Sequence, residues 1–203
     1  MVTITPRAAE RLKLIMDSKG QQGYALRLKI VGRGVESFQY DFRSVPPSMQ
    51  EEHEQALKTN GLVVFISEQD VEDLRGAVID LKPDGGFQID NENPVWHDEI
   101  GPAVARLIAE KINPGVAMHG GFITLVDVRG DTAYVRMGGG CQGCSLRNVT
   151  LKSGIDSLIT EAVPQIKQVI DITKHEAGMN PYYTGPQAGP SALARQQPPP
   201  ADD

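Results

Sequence analysis

Apolar residues follow changing rhythms along the chain, and each change marks a new element. From Pro6 to Ser18, Ala8, Leu12, Ile15 and Met16 recur near helical spacing, with Thr5 as N-cap before Pro6 at the first helical position. Residues 24–31, YALRLKIV, then alternate: Leu26, Leu28 and Ile30 against Arg27 and Lys29, the pattern of a half-buried strand. VGRGVES connects this run through glycines to a second alternating one, SFQYDFR at 37–43. Residues 45–61 are polar and proline-bearing and predict a loop with one helical turn. LVVFIS (62–67) predicts a buried strand, and DVEDLRG (70–76) a short helix ended by Gly76. AVIDLK and GFQIDN form a hairpin across PDGG. This half is mostly β, with an early helix on one side.

The style changes in DNENPVWHDEIGP, residues 90–102. From Glu99 onward, Val104, Leu107, Ile108 and Ile112 make one apolar helix stripe, which Asn113-Pro114-Gly115 is expected to stop. FITLVDVRGDTAYVRM (122–137) reads as two alternating strands around Arg129-Gly130-Asp131-Thr132. A helix starting near Ser145 carries Leu151, Ile155, Leu158, Ile159 and Ala162 until Pro164, and VIDIT (169–173) is a final strand. The order α-β-β-α-β makes a compact α+β domain. The expectation is therefore an α+β protein of two domains, residues 1–95 and 99–177. Residues 178–203, rich in Pro, Gly, Ala and Gln without periodicity, are expected to be a disordered tail.

Charge narrows the partners. The 203 residues carry 20 basic and 26 acidic side chains, and 20 − 26 gives −6. An acidic chain without basic runs is a poor binder of phosphate backbones, so nucleic acid is not expected. The N-terminus has no apolar run long enough for a secretory segment or a membrane span, and it carries Glu10 and Asp17. The expected compartment is a reducing cytoplasm.

In that compartment the two cysteines, Cys141 and Cys144 in GGGCQGCS, are more informative than a disulfide pair would be. At i, i+3 in a turn between a strand and a helix, both sulfurs can face one centre. The preceding glycines open backbone angles closed to other residues and let amides converge on an anionic sulfur site, and the following helix dipole favours thiolate. Three chemistries fit. A dithiol/disulfide couple is one, although Gln142 and Gly143 separate the cysteines without a proline or an aromatic neighbour. Zinc in a zinc-stabilised binding module is the second; it wants four ligands, and His53, His97, His119 and His175 are not in register with the pair. The third is an iron–sulfur cluster held by four thiolates, which requires a homodimer because one chain supplies two. Two buried, inert cysteines would not call for a glycine turn at this spacing. His119 reads as a helix-end or core residue, Trp96 as an anchor between the halves, and Glu51-Glu52-His53-Glu54 as a solvated loop face. Asp84-Gly85-Gly86 reads as a turn.

INPGVAMHGGFITLVDV, AYVRMGGGCQGCSLRNVTLKSGIDSLI and VIDITKH together resemble the Nfu domain, related to the C-terminal part of NifU, over residues 99–183. That resemblance implies a non-enzymatic carrier. Its 4Fe–4S cluster, one per homodimer, would be bridged by Cys141 and Cys144 of two subunits, received from an upstream scaffold and delivered to apo-proteins. LRLKIVGRGVESFQY and GFQIDNENPVWHDEIGP resemble segments of the A-type (HesB-like) iron–sulfur carrier domain, with Gly34 and Tyr40 in register. Val35, Ile100 and Pro102 occupy that domain's three cysteine positions. This half is thus expected to keep the carrier shape without ligands and to serve client docking. The two halves together resemble the NfuA type of bacterial Fe–S biogenesis protein.

Overall fold

Local sequence sets the first turn of the structure. The computed structural model describes residues 1–118, 120–139 and 151–173, in two units, Met1–His97 and one beginning at Asp98. Helix α1, Pro6–Ser18, starts on Thr5, whose hydroxyl accepts from the Ala8 amide at 3.3 Å, with Pro6 placed where no amide donor is needed. Ala8, Ala9, Leu12 and Met16 form its buried face. The Thr5 hydroxyl also donates to Asp80, and Arg7 pairs with the same carboxylate. The Arg7 and Thr5 hydrogen bonds hold the Asp80 carboxyl far below the usual range.

Two sheets complete the first unit. β2 (Ala25–Arg33), β3 (Phe38–Val45), β4 (Glu54–Thr59) and β5 (Leu62–Ser67) lie in the order β3-β2-β5-β4. β1 (Thr3–Ile4), β6 (Val78–Leu81) and β7 (Phe87–Asp90) lie in the order β1-β6-β7. Leu26 and Leu28, Val64 and Ile66, Ile79, Leu74 and the apolar face of α1 make one core. β6 and β7 form the expected hairpin, with Leu81 opposite Phe87.

Three expectations for this unit are corrected. Residues 45–61 are not simply a loop: after a 3-10 turn at Pro47–Met49 they form β4, antiparallel to β5. The Asn60-Gly61 turn closes this pair with both residues at positive φ, 46° and 75°. Such a turn matches the twist of paired strands, and Asn-Gly is the pair that adopts it with least strain. Residues 71–76 form consecutive turns after a 3-10 turn at Glu68–Asp70, with a single helical bond from the Leu74 amide to the Asp70 carbonyl, while the Asp70 carboxylate accepts from the Ile30 amide at 3.1 Å. β2 is not half-buried at its start, since Ala25 to Leu28 are all buried. Ala25, Val45 and Phe65 form a second small core there, and Arg27 lies on the same side, its side chain 5% exposed.

Arg27 tolerates that burial because Glu54 faces it. Nε and Oε1 lie 2.6 Å apart, Nη2 donates to Oε2 at 2.8 Å and also to the Met49 carbonyl. The Glu54 side chain is 1% exposed. Burial opposes its ionisation, but the Arg27 hydrogen bond, the Glu51 amide and the charges of Arg27 and Lys29 outweigh it and hold the carboxyl below its ordinary value. The stretch Glu51–Glu54 is therefore a solvated face only in part, with Glu54 a structural anchor.

In the second unit the apolar stripe folds as read: Val104, Leu107, Ile108 and Ile112 are all buried. Asp98 Oδ1 accepts from the amides of Ile100 and Gly101 and satisfies the helix start. The helical path does not stop at Asn113-Pro114-Gly115. α2 (Ile100–Leu107) passes through a π-helical segment, Ile108–Ile112, directly into α3 (Asn113–Ala117). Pro114 sits in the first turn of α3, where its missing donor breaks no ladder bond. β8 (Gly121–Arg129) and β9 (Thr132–Gly139) are antiparallel, and β10 (Gln168–Asp171) joins β9 in parallel. α4 is Leu151–Ala162, with Ile155 and Ile159 buried. Residues 178–203 lie outside the described residues.

Candidate functional site

Cys141 and Cys144 lie outside the described residues, as do His119 and His175. The structure does show what both ends of their segment are attached to. β9 ends at Gly139 and α4 begins, among the described residues, at Leu151. At the root, Gly121 pairs with Gly139 and Phe122 with Gly138. Gly139 has φ 60°, and a Cβ there would meet the Gly120 carbonyl oxygen at 2.5 Å. A Cβ on Gly138 would meet the Phe122 ring at 2.2 Å. Each glycine thus has a steric reason of its own: at Gly139 a neighbouring backbone passes too closely for a side chain, and at Gly138 the Phe122 ring fills the space. The Gly139→Ala variant is expected to lose about 1–2 kcal/mol from the left-handed backbone alone, before the clash, as a lowered denaturation midpoint. Wild-type stability in that variant would contradict the close approach.

Two polar side chains fix this root. Asn113 spans the Ile123 main chain, its amide donating to the carbonyl at 2.9 Å and its oxygen accepting from the amide at 2.7 Å. The Thr173 hydroxyl accepts from the Met137 amide at 2.7 Å, and Asp171 in turn accepts from Thr173. The strands beside the cysteine segment are thereby tied to α3 and to the chain after β10. Sequence reasoning gave Asn113 only a helix-stopping role and Thr173 only a place in a strand. A single side chain bonded to backbone leaves no periodic signal.

Val35, Ile100 and Pro102 offer no thiolate. Val35 lies in the bend after β2, and Ile100 and Pro102 open α2. The connection around Val35 is held by other means: the Gly34 amide donates to the Ser37 carbonyl, and the Trp96 indole N–H donates to the Gly34 carbonyl at 2.7 Å. Arg33 lies over the rings of Phe38 and Trp96, pairs with Asp73 and donates to the Val95 carbonyl. Trp96 thus has partners inside the first unit. Asn91 donates to the Tyr40 hydroxyl and to the Asp73 carbonyl, and Asn93 reaches Asp73 and Arg75. Burial, chiefly, raises the Tyr40 phenol above its ordinary value. Gly34, Tyr40, Asn91 and Asn93 therefore each make a structural contact. His53 and His97 are exposed, and among the described residues no group of three or more His, Cys, Asp or Glu could hold a metal ion.

Residues 1–102 match the family model described as iron-sulphur cluster biosynthesis, and residues 104–170 match the NifU-like domain. The Fe/S biogenesis protein NfuA of Pectobacterium carotovorum is 32% identical over 193 residues, covering 90% of this chain and 100% of that protein. The chain belongs to the NfuA family of Fe/S biogenesis proteins. NfuA of Pseudomonas aeruginosa is 31% identical over 191 residues, covering 90% of this chain and 98% of its own. Among solved structures, IscA with its [2Fe-2S] cluster aligns at a TM-score of 0.39 and 23% identity, over 51% of this chain and 96% of that one. Within this NfuA-family chain the first match ends at residue 102, inside α2. The positions of Ile100 and Pro102 thus belong to the second unit's opening helix.

Proposed function

We propose that this chain is a non-enzymatic carrier that takes a 4Fe–4S cluster from an upstream scaffold, holds it between Cys141 and Cys144 of two copies, and hands it to apo-proteins. The observation that carries this reading is the ligand count within an Fe/S biogenesis family: two cysteines in the whole chain, against the four thiolates such a cluster takes. The cluster is cargo. Each incoming client thiol loses a proton and replaces one carrier thiolate, which takes up a proton as it leaves, so transfer by ligand exchange needs no oxidant or reductant. A chain that holds only half the ligands gives up its half in two such steps.

In this reading residues 99–177 handle the cluster, residues 1–95 serve client docking without thiols of their own, and the tail 178–203 has no assigned role. Transfer belongs in a reducing cytoplasm, where client thiols stay free. No helix among the described residues is long and apolar enough to cross a membrane.

Transfer tests the proposal. Loaded protein mixed anaerobically with an apo-acceptor of the 4Fe–4S type, then separated from it, is expected to leave iron and sulfide with the acceptor. Retention of both on the carrier would contradict the reading. Reduction of insulin disulfides by iron-free protein would favour the dithiol oxidoreductase instead, and zinc as the metal in air-free preparations the zinc-stabilised module.

A further inference from the structure

Two apolar side chains at the root of the cysteine segment stand exposed. Met118 is 82% exposed and Phe122 53%. They flank the turn that leads from α3 into β8, closed by the Gly120 amide on the Ala117 carbonyl at 2.9 Å. The Phe122 ring covers Gly138, directly across the strand pair. In the two adjoining pairs, Gly121 with Gly139 and Phe122 with Gly138, Phe122 is the only side chain. β8 is also the outer strand of the β10-β9-β8 sheet. Gly138 precedes Cys141 by three residues, a span of at most about 11 Å.

We propose that Phe122 and Met118 form the surface on which a second copy of this chain sits when two chains share the cluster; this rests on the carrier reading above. Ligand count and reach select that occupant. The second pair of thiolates must come within bonding distance of metal that the first pair already holds. A second copy that brings its cysteines there also brings its own residues 118–122 and 138–139, because the same short tether attaches them. A twofold arrangement uses one patch on both chains, so whatever flanks the cysteines of one flanks those of the other. The Gly121–Gly139 pair carries no side chain to hold a neighbour off, and the exposed Phe122 ring and Met118 thioether supply apolar surface for that contact.

Sedimentation of the anaerobically loaded full-length protein over a range of concentrations tests this, with Met118→Glu, Phe122→Asp and the conservative Met118→Leu and Phe122→Leu. A charge on the patch appears twice across a twofold seam and repels itself. The charged variants are expected to need about tenfold or more protein to reach half dimer, with the apo thermal midpoint of Met118→Glu unchanged. The leucine variants are expected to dimerise as the wild type does. Charged variants that load and dimerise like the wild type overturn the proposal. So does normal dimerisation with slowed transfer, which would assign the patch to the client. If Phe122→Asp does not fold, Met118→Glu decides alone, since position 118 is an exposed turn. Wild-type protein that loads as a single chain overturns the carrier reading and this surface together.

Discussion

Replacing Cys141 or Cys144 by alanine is expected to abolish cluster uptake, with iron and acid-labile sulfide falling to background after anaerobic reconstitution. One substitution removes one thiolate from each chain and therefore two of the four in the pair. The loss should be complete, and it should leave the fold alone. The Asn113 bonds to Ile123 and the Thr173 bond to Met137 hold the root of the segment without either cysteine. The apo variants should then unfold within about 0.5 kcal/mol of the wild type, the range of substitutions that break no packing or hydrogen-bond contact. A cluster retained by either variant would remove these cysteines as the ligands.

The largest effect on stability is expected at Glu54. Glu54→Ala leaves Arg27 buried without the carboxylate that Nε and Nη2 now meet, and with only the half-exposed Glu51 carboxylate, 3.5 Å from Nη1, and the Met49 carbonyl as partners. Breaking a buried pair from one side costs about 3–5 kcal/mol, against a total of about 5–15 kcal/mol for a typical domain. Chemical denaturation of the full-length protein should show this as a large drop in the midpoint of the first unit. Removing both charges, as Arg27→Met with Glu54→Leu, should recover much of the loss, because neither group then needs a partner. A single variant with wild-type stability would show that the pair is not desolvated. The pH dependence follows from the lowered carboxyl. The folded state holds Glu54 ionised more strongly than the unfolded chain does. Its contribution is complete above the ordinary glutamate range, near pH 4.3, and is lost as pH falls through the lower folded value. Glu54→Ala should therefore flatten the acid side of the stability profile.

Where period and turn chemistry agreed, the sequence was enough to place an element. Helix α1 was legible from Thr5, Pro6 and the spacing of its apolar face, and the β6–β7 hairpin from PDGG between alternating runs. β5 was legible as a short apolar run. The stripe from Val104 to Ile112 was legible as a core face, but its end was not. Pro114 reads as a helix stop by itself, yet the π-helical segment before it lets the chain resume a helix in which Pro114 falls in the first turn. β4 was missed because its strand, EQALKT, is a polar edge without a clear alternation. The signal that marks it is the turn, Asn60-Gly61, rather than the strand. Arg27 and Glu54 look like ordinary surface charges until pairing places them opposite each other, and no spacing rule joins positions so far apart.

The candidate site divides in the same way. Cys141 and Cys144 stand out in the sequence because CxxC behind three glycines is a local pattern; they lie outside the described residues, while the family match extends well beyond that pattern to both units. Its supports were not. Asn113, Thr173 and Phe122 act on backbone groups or on a glycine across a strand pair, and each depends on register that only the fold supplies. The glycines also acquired a second meaning. Gly139 occupies the left-handed region, as a cradle reading would ask, and it does so against the Gly120 carbonyl of the turn before β8, a close approach that requires glycine by itself.

In the proposed function two chains complete one site. Iron, acid-labile sulfide and particle mass measured on a single anaerobically prepared sample test it most directly. About four iron and four sulfide are expected for every two chains, in a particle of twice the chain mass. Zinc without sulfide, or a full cluster on a particle of one chain, would contradict it.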